Sequence, residues 1–211
     1  MNISTALKAL AGAAVVMLPL TASAESTFST GAAALTSTAH VDFQVTIPKI
    51  LYLRVGTGSA YPTTLSSIGT TDLLTFSPAA AVVGNGTAVV GAGGDLTGGV
   101  ETAAIISNSG NVTLNATATG ALSDGAAGDS IAFSQITTTA SALTGTYTLL
   151  PAPVLTNATS ANVVLTAPAS KVITADAKWT YAYANTTTPP AGTYGGVNTN
   201  NSRVTYTATM P

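Results

Sequence analysis

The chain has 211 residues, of which 7% are charged and 46% hydrophobic, with a formal net charge of −2 and no cysteine. A length of this order suits a single all-β domain. The composition excludes a basic nucleic-acid footprint, a thiolate metal site and a disulfide-stapled mini-protein.

Residues 1–24 read as a secretory signal peptide. Lys8 is the only charge, Ala9–Leu20 is apolar apart from small residues and one proline, and Ala22-Ser23-Ala24 fits a small-x-small cleavage pattern. The apolar run is too short to span a bilayer, so no membrane span is expected. Cleavage before Glu25 leaves 187 residues with five basic and eight acidic groups, net −3. The expected location is the periplasm, the cell surface or the medium.

Residues 25–38, rich in Ser, Thr and Ala, show little alternation and read as a flexible N-terminal segment. Residues 39–211 are expected to form one β-sandwich domain. It opens on Ala39–Ile47, where Val41, Phe43, Val45 and Ile47 alternate with His40, Asp42, Gln44 and Thr46. That is the pattern of a half-buried strand. Pro48 interrupts it, because proline donates no ladder hydrogen bond. Lys49–Val55 then resumes with Leu51, Leu53 and Val55 on one side.

Short strands are expected at Asp72–Phe76, Thr87–Val90, Ile131–Ile136, Leu143–Leu149 and Val163–Leu165. Val100–Ser107 and Asn111–Thr119 read as a hairpin around Asn108-Ser109-Gly110. Ala121–Asp129 is a Gly/Ala loop. The last third carries the only tryptophan and four of the seven tyrosines. Trp179, Tyr181 and Tyr183 share one parity, so their rings face one side of a strand. With Val204, Tyr206 and Ala208 they suggest a closing hairpin. Tyr194, after Gly192, has the setting of a tyrosine corner. Eight to ten short strands without helical periodicity indicate an all-β, immunoglobulin-like two-sheet sandwich of Greek-key character.

The inventory of reactive groups disfavours an enzyme. His40 is the only histidine and lies on the polar side of its strand. Gly128-Asp129-Ser130-Ile131 resembles a GDSL-type nucleophile block, but no histidine follows it, as that chemistry requires. Asp124 and Asp129 bracket a loop that lacks the alternate oxygens and closing glutamate of a calcium site. No catalytic residue, metal ligand or cofactor is assigned. Tyr61, after a Gly/Ser turn, is the one aromatic placed to stack on a sugar.

The residues Val41-Asp-Phe-Gln-Val-Thr-Ile-Pro48, the Ser107-Asn-Ser-Gly110 turn and the ending Pro190-Ala-Gly-Thr-Tyr-Gly-Gly196 followed by Val204-Thr-Tyr-Thr-Ala-Thr209 resemble bacterial chaperone–usher pilins, nearest in outline to the cysteine-free alpha-type subunits. The insertion at 198–202 and the neutral, Thr-rich body depart from that pattern. The resemblance implies a non-catalytic fibre subunit whose partners are a periplasmic chaperone, an usher and other copies of itself. Its incomplete sandwich would be filled by a strand donated from another chain, with Val41, Phe43, Val45 and Ile47 as the groove-filling side chains. From the residues alone, 39–47 is either that donated strand or the domain's own first strand. The competing function is a self-contained extracellular sandwich that binds a glycan or matrix component.

Overall fold

A computed structural model describes residues 25–58, 60–125 and 128–211. The expected signal peptide lies outside them. Cα packing divides the chain between Ile47 and Pro48.

In the first unit, residues 25–47 form no ladder. The Ser/Thr stretch folds back on itself through side chains. Thr27 Oγ1 lies 2.7 Å from Ser37 Oγ, Ser29 Oγ donates to Thr36 O at 3.0 Å, and His40 Nδ1 meets Glu25 Oε2 at 2.8 Å. The strand expected over Ala39–Ile47 is therefore absent as a paired element. Val41, Phe43, Val45 and Ile47 are 70–90% exposed. Alternation supplies an apolar side, but a strand also needs a neighbour to take its N–H and C=O groups. Among the described residues, the segment 39–47 takes part in no ladder.

The second unit is all-β, with eleven strands and two 3-10 turns. In chain order the strands are β1 (Leu51–Val55), β2 (Val89–Val90), β3 (Val100–Ser107), β4 (Val112–Thr117), β5 (Leu122–Ser123), β6 (Ser130–Ile131), β7 (Ile136–Ser141), β8 (Thr148–Leu149), β9 (Val163–Leu165), β10 (Ile173–Tyr183) and β11 (Thr205–Thr209). The first sheet runs β1-β3-β10-β2, with β7 and β8 also pairing with β10. The second runs β11-β4-β9, and β5 and β6 form a separate ribbon. All ladders are antiparallel except that of β8 with β10.

The two larger sheets share one core. From β3 and β10 come Ala103, Ile105, Ile173, Ala175, Ala177, Trp179, Tyr181 and Tyr183; from β4 and β9 come Val112, Leu114, Ala116 and Leu165. Period-two alternation explains the choice, because Trp179 faces Glu101 across the ladder and Ala177 faces Ala103 on the same side. Trp179 is fully buried, and its Nε1 donates to Leu150 O at 2.9 Å. Burying a ring this size without a partner for its N–H would cost much of what its area contributes.

Both expected hairpins are corrected. The strands exist at β3/β4 and β10/β11, but each pair splits between the two sheets. At the first, the turn groups serve third parties. The Asn108 amide donates to Pro48 O and its Oδ1 accepts from Ile50 N, while Gly110 N donates to Lys171 O. Asp72–Phe76 is reduced to one bridge, Thr75 to Ala92. Ile131–Ile136 is broken by the turn at Phe133–Gln135, and only Thr148–Leu149 of Leu143–Leu149 is a strand.

Candidate functional site: two neighbouring sheet edges

The strands β1 and β11 are edge strands of the two larger sheets and lie near each other. Among the described residues β1 is paired only with β3, and β11 only with β4. Each presents one row of backbone groups without a ladder partner, which is the template on which another strand adds. Lys49 Nζ donates to Pro211 O at 3.1 Å, so the start of β1 lies beside the end of β11 and the edges run antiparallel. Their inner side chains line the cleft between them. Leu53 and Val55 on β1, and Val204, Tyr206, Ala208 and Met210 on and around β11, pack against the core yet stay only partly buried. The outer row of β11, Thr205, Thr207 and Thr209, is exposed.

The cleft is narrow. Cα atoms of β1 and β11 approach within 8 Å. Seating a strand between two others requires two ladder spacings, about 9.6 Å. An occupant therefore enters by spreading the edges. Only one ladder flanks each edge strand, so spreading breaks no sheet interior.

The floor of the cleft is aromatic. Tyr206 from β11 meets Tyr181 from β10 hydroxyl to hydroxyl at 2.8 Å, and its ring lies 5.3 Å from that of Trp179. Burial pushes both phenols up, Tyr206 to about 12 and Tyr181 well above the usual tyrosine value. Both hydroxyls thus stay protonated and tie the two sheets together.

Beyond Val55 the chain turns into an acid corner. Gly56 adopts φ +77°, and a Cβ there would lie 2.5 Å from Asp72 Oδ2 and 2.7 Å from Glu101 Oε2. Asp72 accepts from Thr57 N at 2.8 Å, and Asp95 accepts from Gly58 N at 2.7 Å and Thr102 N at 2.8 Å. Glu101 is 5% exposed. Burial foremost, with the neighbouring Asp72 and against a hydrogen bond donated by Asp95 N, pushes its carboxyl up to about 8. It is thus held as the neutral acid at neutral pH. The three acids are spread over thirty residues of sequence, and no spacing announced them.

The other residues singled out by the sequence are dispersed. His40 pairs with Glu25 at the exposed start of the described chain. Tyr194 donates from its hydroxyl to Pro190 O at 2.8 Å, four residues upstream. Tyr61 is stacked on Tyr147 with centroids 3.8 Å apart, so one of its faces is already taken. Ser130 lies in the two-stranded ribbon. Among the described residues, no group of three or more His, Asp or Glu is placed to hold a metal ion, and no helix is long and apolar enough to cross a membrane. Compared with protein-family models, with curated proteins and with solved structures, the chain matches none.

Proposed function

We propose that this protein is a non-catalytic structural subunit of a bacterial surface fibre, exported by its N-terminal signal and joined to other copies by strand donation. The observation that carries the reading is a matched pair of deficits. The cleft between β1 and β11 has half-covered apolar side chains and two unpaired backbone edges. The segment 39–47 has four exposed apolar side chains on one parity and no ladder. Each offers what the other lacks.

The strand order supports the same reading. In an immunoglobulin-like sandwich one sheet holds strands A, B and E, and the other holds C, F and G. Here β1, β3 and β10 stand in the order A-B-E, and β4 and β11 in the order C-F. Among the described residues no strand pairs with the other edge of β11, which is where strand G of such a sandwich would add. A periplasmic chaperone strand would take that place before assembly, and Val41, Phe43, Val45 and Ile47 of another subunit afterwards. Pro48 ends the donated segment where β1 is about to begin.

The test is a sizing column run on the chain from Glu25 to Pro211, before and after heating in detergent. The expected result is a concentration-dependent ladder of multimers that survives detergent and vanishes when residues 25–47 are deleted. A single monomer peak at all concentrations would overturn the proposal.

A further inference from the structure

The loop before β11 encloses a hollow that strand donation leaves unused. It measures about 390 Å³, within the roughly 300–1,000 Å³ range of small-molecule clefts. It is open on one side and lined by Thr117, Thr119, Thr205, residues 198–202 and Arg203. The lining is entirely hydroxyl, amide and guanidinium, with no ring and no acid.

The loop is held in a fixed shape. Asn198, Asn200 and Asn201 adopt φ values of 53°, 51° and 61°, a left-handed conformation that few residues other than glycine take up. Cross-links hold it there. Thr119 Oγ1 donates to Asn201 Oδ1 at 3.1 Å, the Asn201 amide donates to Ala121 O at 3.1 Å, and Ser123 N donates to Asn200 O at 3.0 Å. A loop ordered in advance loses little entropy when a ligand arrives. Arg203 is exposed. Among the described residues it has no hydrogen-bond or ion-pair partner.

We infer that this hollow binds a carboxylated sugar unit, such as a hexuronate or a sialate. One guanidinium pairs with one carboxylate through two parallel hydrogen bonds. The surrounding hydroxyls and amides both donate and accept, as sugar hydroxyls do. A polyphosphate would leave charge unmatched beside a single cation. A nucleobase would find no ring to stack on. The site is independent of strand donation, because its walls belong to the outer side of β4 and β11 and to the loop.

The test is an amide-resolved NMR titration of a Glu25–Pro211 chain carrying Phe43→Asp and Val45→Asp, which cannot donate its strand and so stays monomeric, with glucuronate, N-acetylneuraminate, glucose and acetate. Saturable shifts centred on residues 198–205, with a dissociation constant at or below about 1 mM, are expected for one or both acidic sugars. Glucose and acetate should each bind at least tenfold more weakly. Arg203→Lys, which keeps the charge but loses the fork, should weaken the acidic sugar about tenfold, and Arg203→Gln should abolish its preference over glucose. The inference is overturned if neither acidic sugar binds, if glucose or acetate binds as well, if the shifts lie elsewhere, or if Arg203→Gln changes nothing.

Discussion

At the scale of single residues, Glu101 is a buried carboxyl whose surroundings favour its neutral form. It stands opposite Trp179 on the inner side of β3, with Asp72, Asp95 and the Tyr181 and Tyr206 hydroxyls around it. Its carboxyl titrates near 8 in the folded chain against 4.5 as the ordinary value. The folded state therefore holds a proton that the unfolded state has released, and stability falls as pH rises from about 4.5 to 8, then levels off. The loss is on the order of a few kcal/mol, or several degrees in Tm for a domain of this size. Glu101→Gln keeps the neutral hydrogen-bonding shape and removes the titration. Thermal melts should show the parent less stable at pH 8 than at pH 5, and the variant level across that range. A parent curve flat between the two pH values would show that Glu101 ionises as an ordinary carboxylate.

At the scale of elements, order follows the number of flanking ladders. β3 is paired on both sides, by β1 and β10, and β10 is paired by β3 and by three shorter strands. β1 and β11 are paired on one side only. Native-state hydrogen exchange should rank β3 and β10 slowest and the outward amides of β1 and β11 fast, with the latter slowing on multimer formation. Equal protection of all four strands in the monomer would mean that the cleft is already closed. The same contrast explains what the sequence disclosed. Alternation located β1, β4, β11 and the second half of β10 and chose the buried side of Trp179, Tyr181 and Tyr183, because period two is a local property. It misassigned both hairpins, since turn residues at 108–110 specify a reversal and not the sheet in which the chain lands. It also read 39–47 as a half-buried strand, because the pattern is identical whether the covering sheet belongs to the same chain or to another. The acid corner was invisible for a related reason: Asp72, Asp95 and Glu101 meet only through tertiary folding. The alternation of Val204, Tyr206 and Ala208 placed an apolar row on β11, but that β11 would lie near β1 of the other sheet is a tertiary fact that no local pattern carries.

At the scale of the whole molecule, the proposal is that one chain completes another, and completion is a binding equilibrium that stability can report. A chain carrying Phe43→Asp and Val45→Asp cannot donate, since a charge in the cleft would be buried without a partner. Its own cleft, between β1 and β11, is untouched by those substitutions. Adding a peptide of residues 39–47 should therefore stabilise this variant without allowing it to polymerise. A ligand at one hundred times its dissociation constant contributes about 2.7 kcal/mol, and each kcal/mol moves Tm by about 2–4 °C in a domain of this size. A rise of roughly 5–10 °C is expected. The control is a peptide of the same composition in which the apolar and polar positions are offset by one residue. Because side chains alternate strictly along a strand, that offset turns His40, Asp42, Gln44 and Thr46 toward the cleft in place of the apolar set. The offset peptide should leave Tm unchanged. Equal stabilisation by both peptides would mean that they adsorb by composition alone, and no stabilisation by either would mean that the cleft takes no strand. Only a rise confined to the correct parity is consistent with a groove that reads the alternation of Val41, Phe43, Val45 and Ile47.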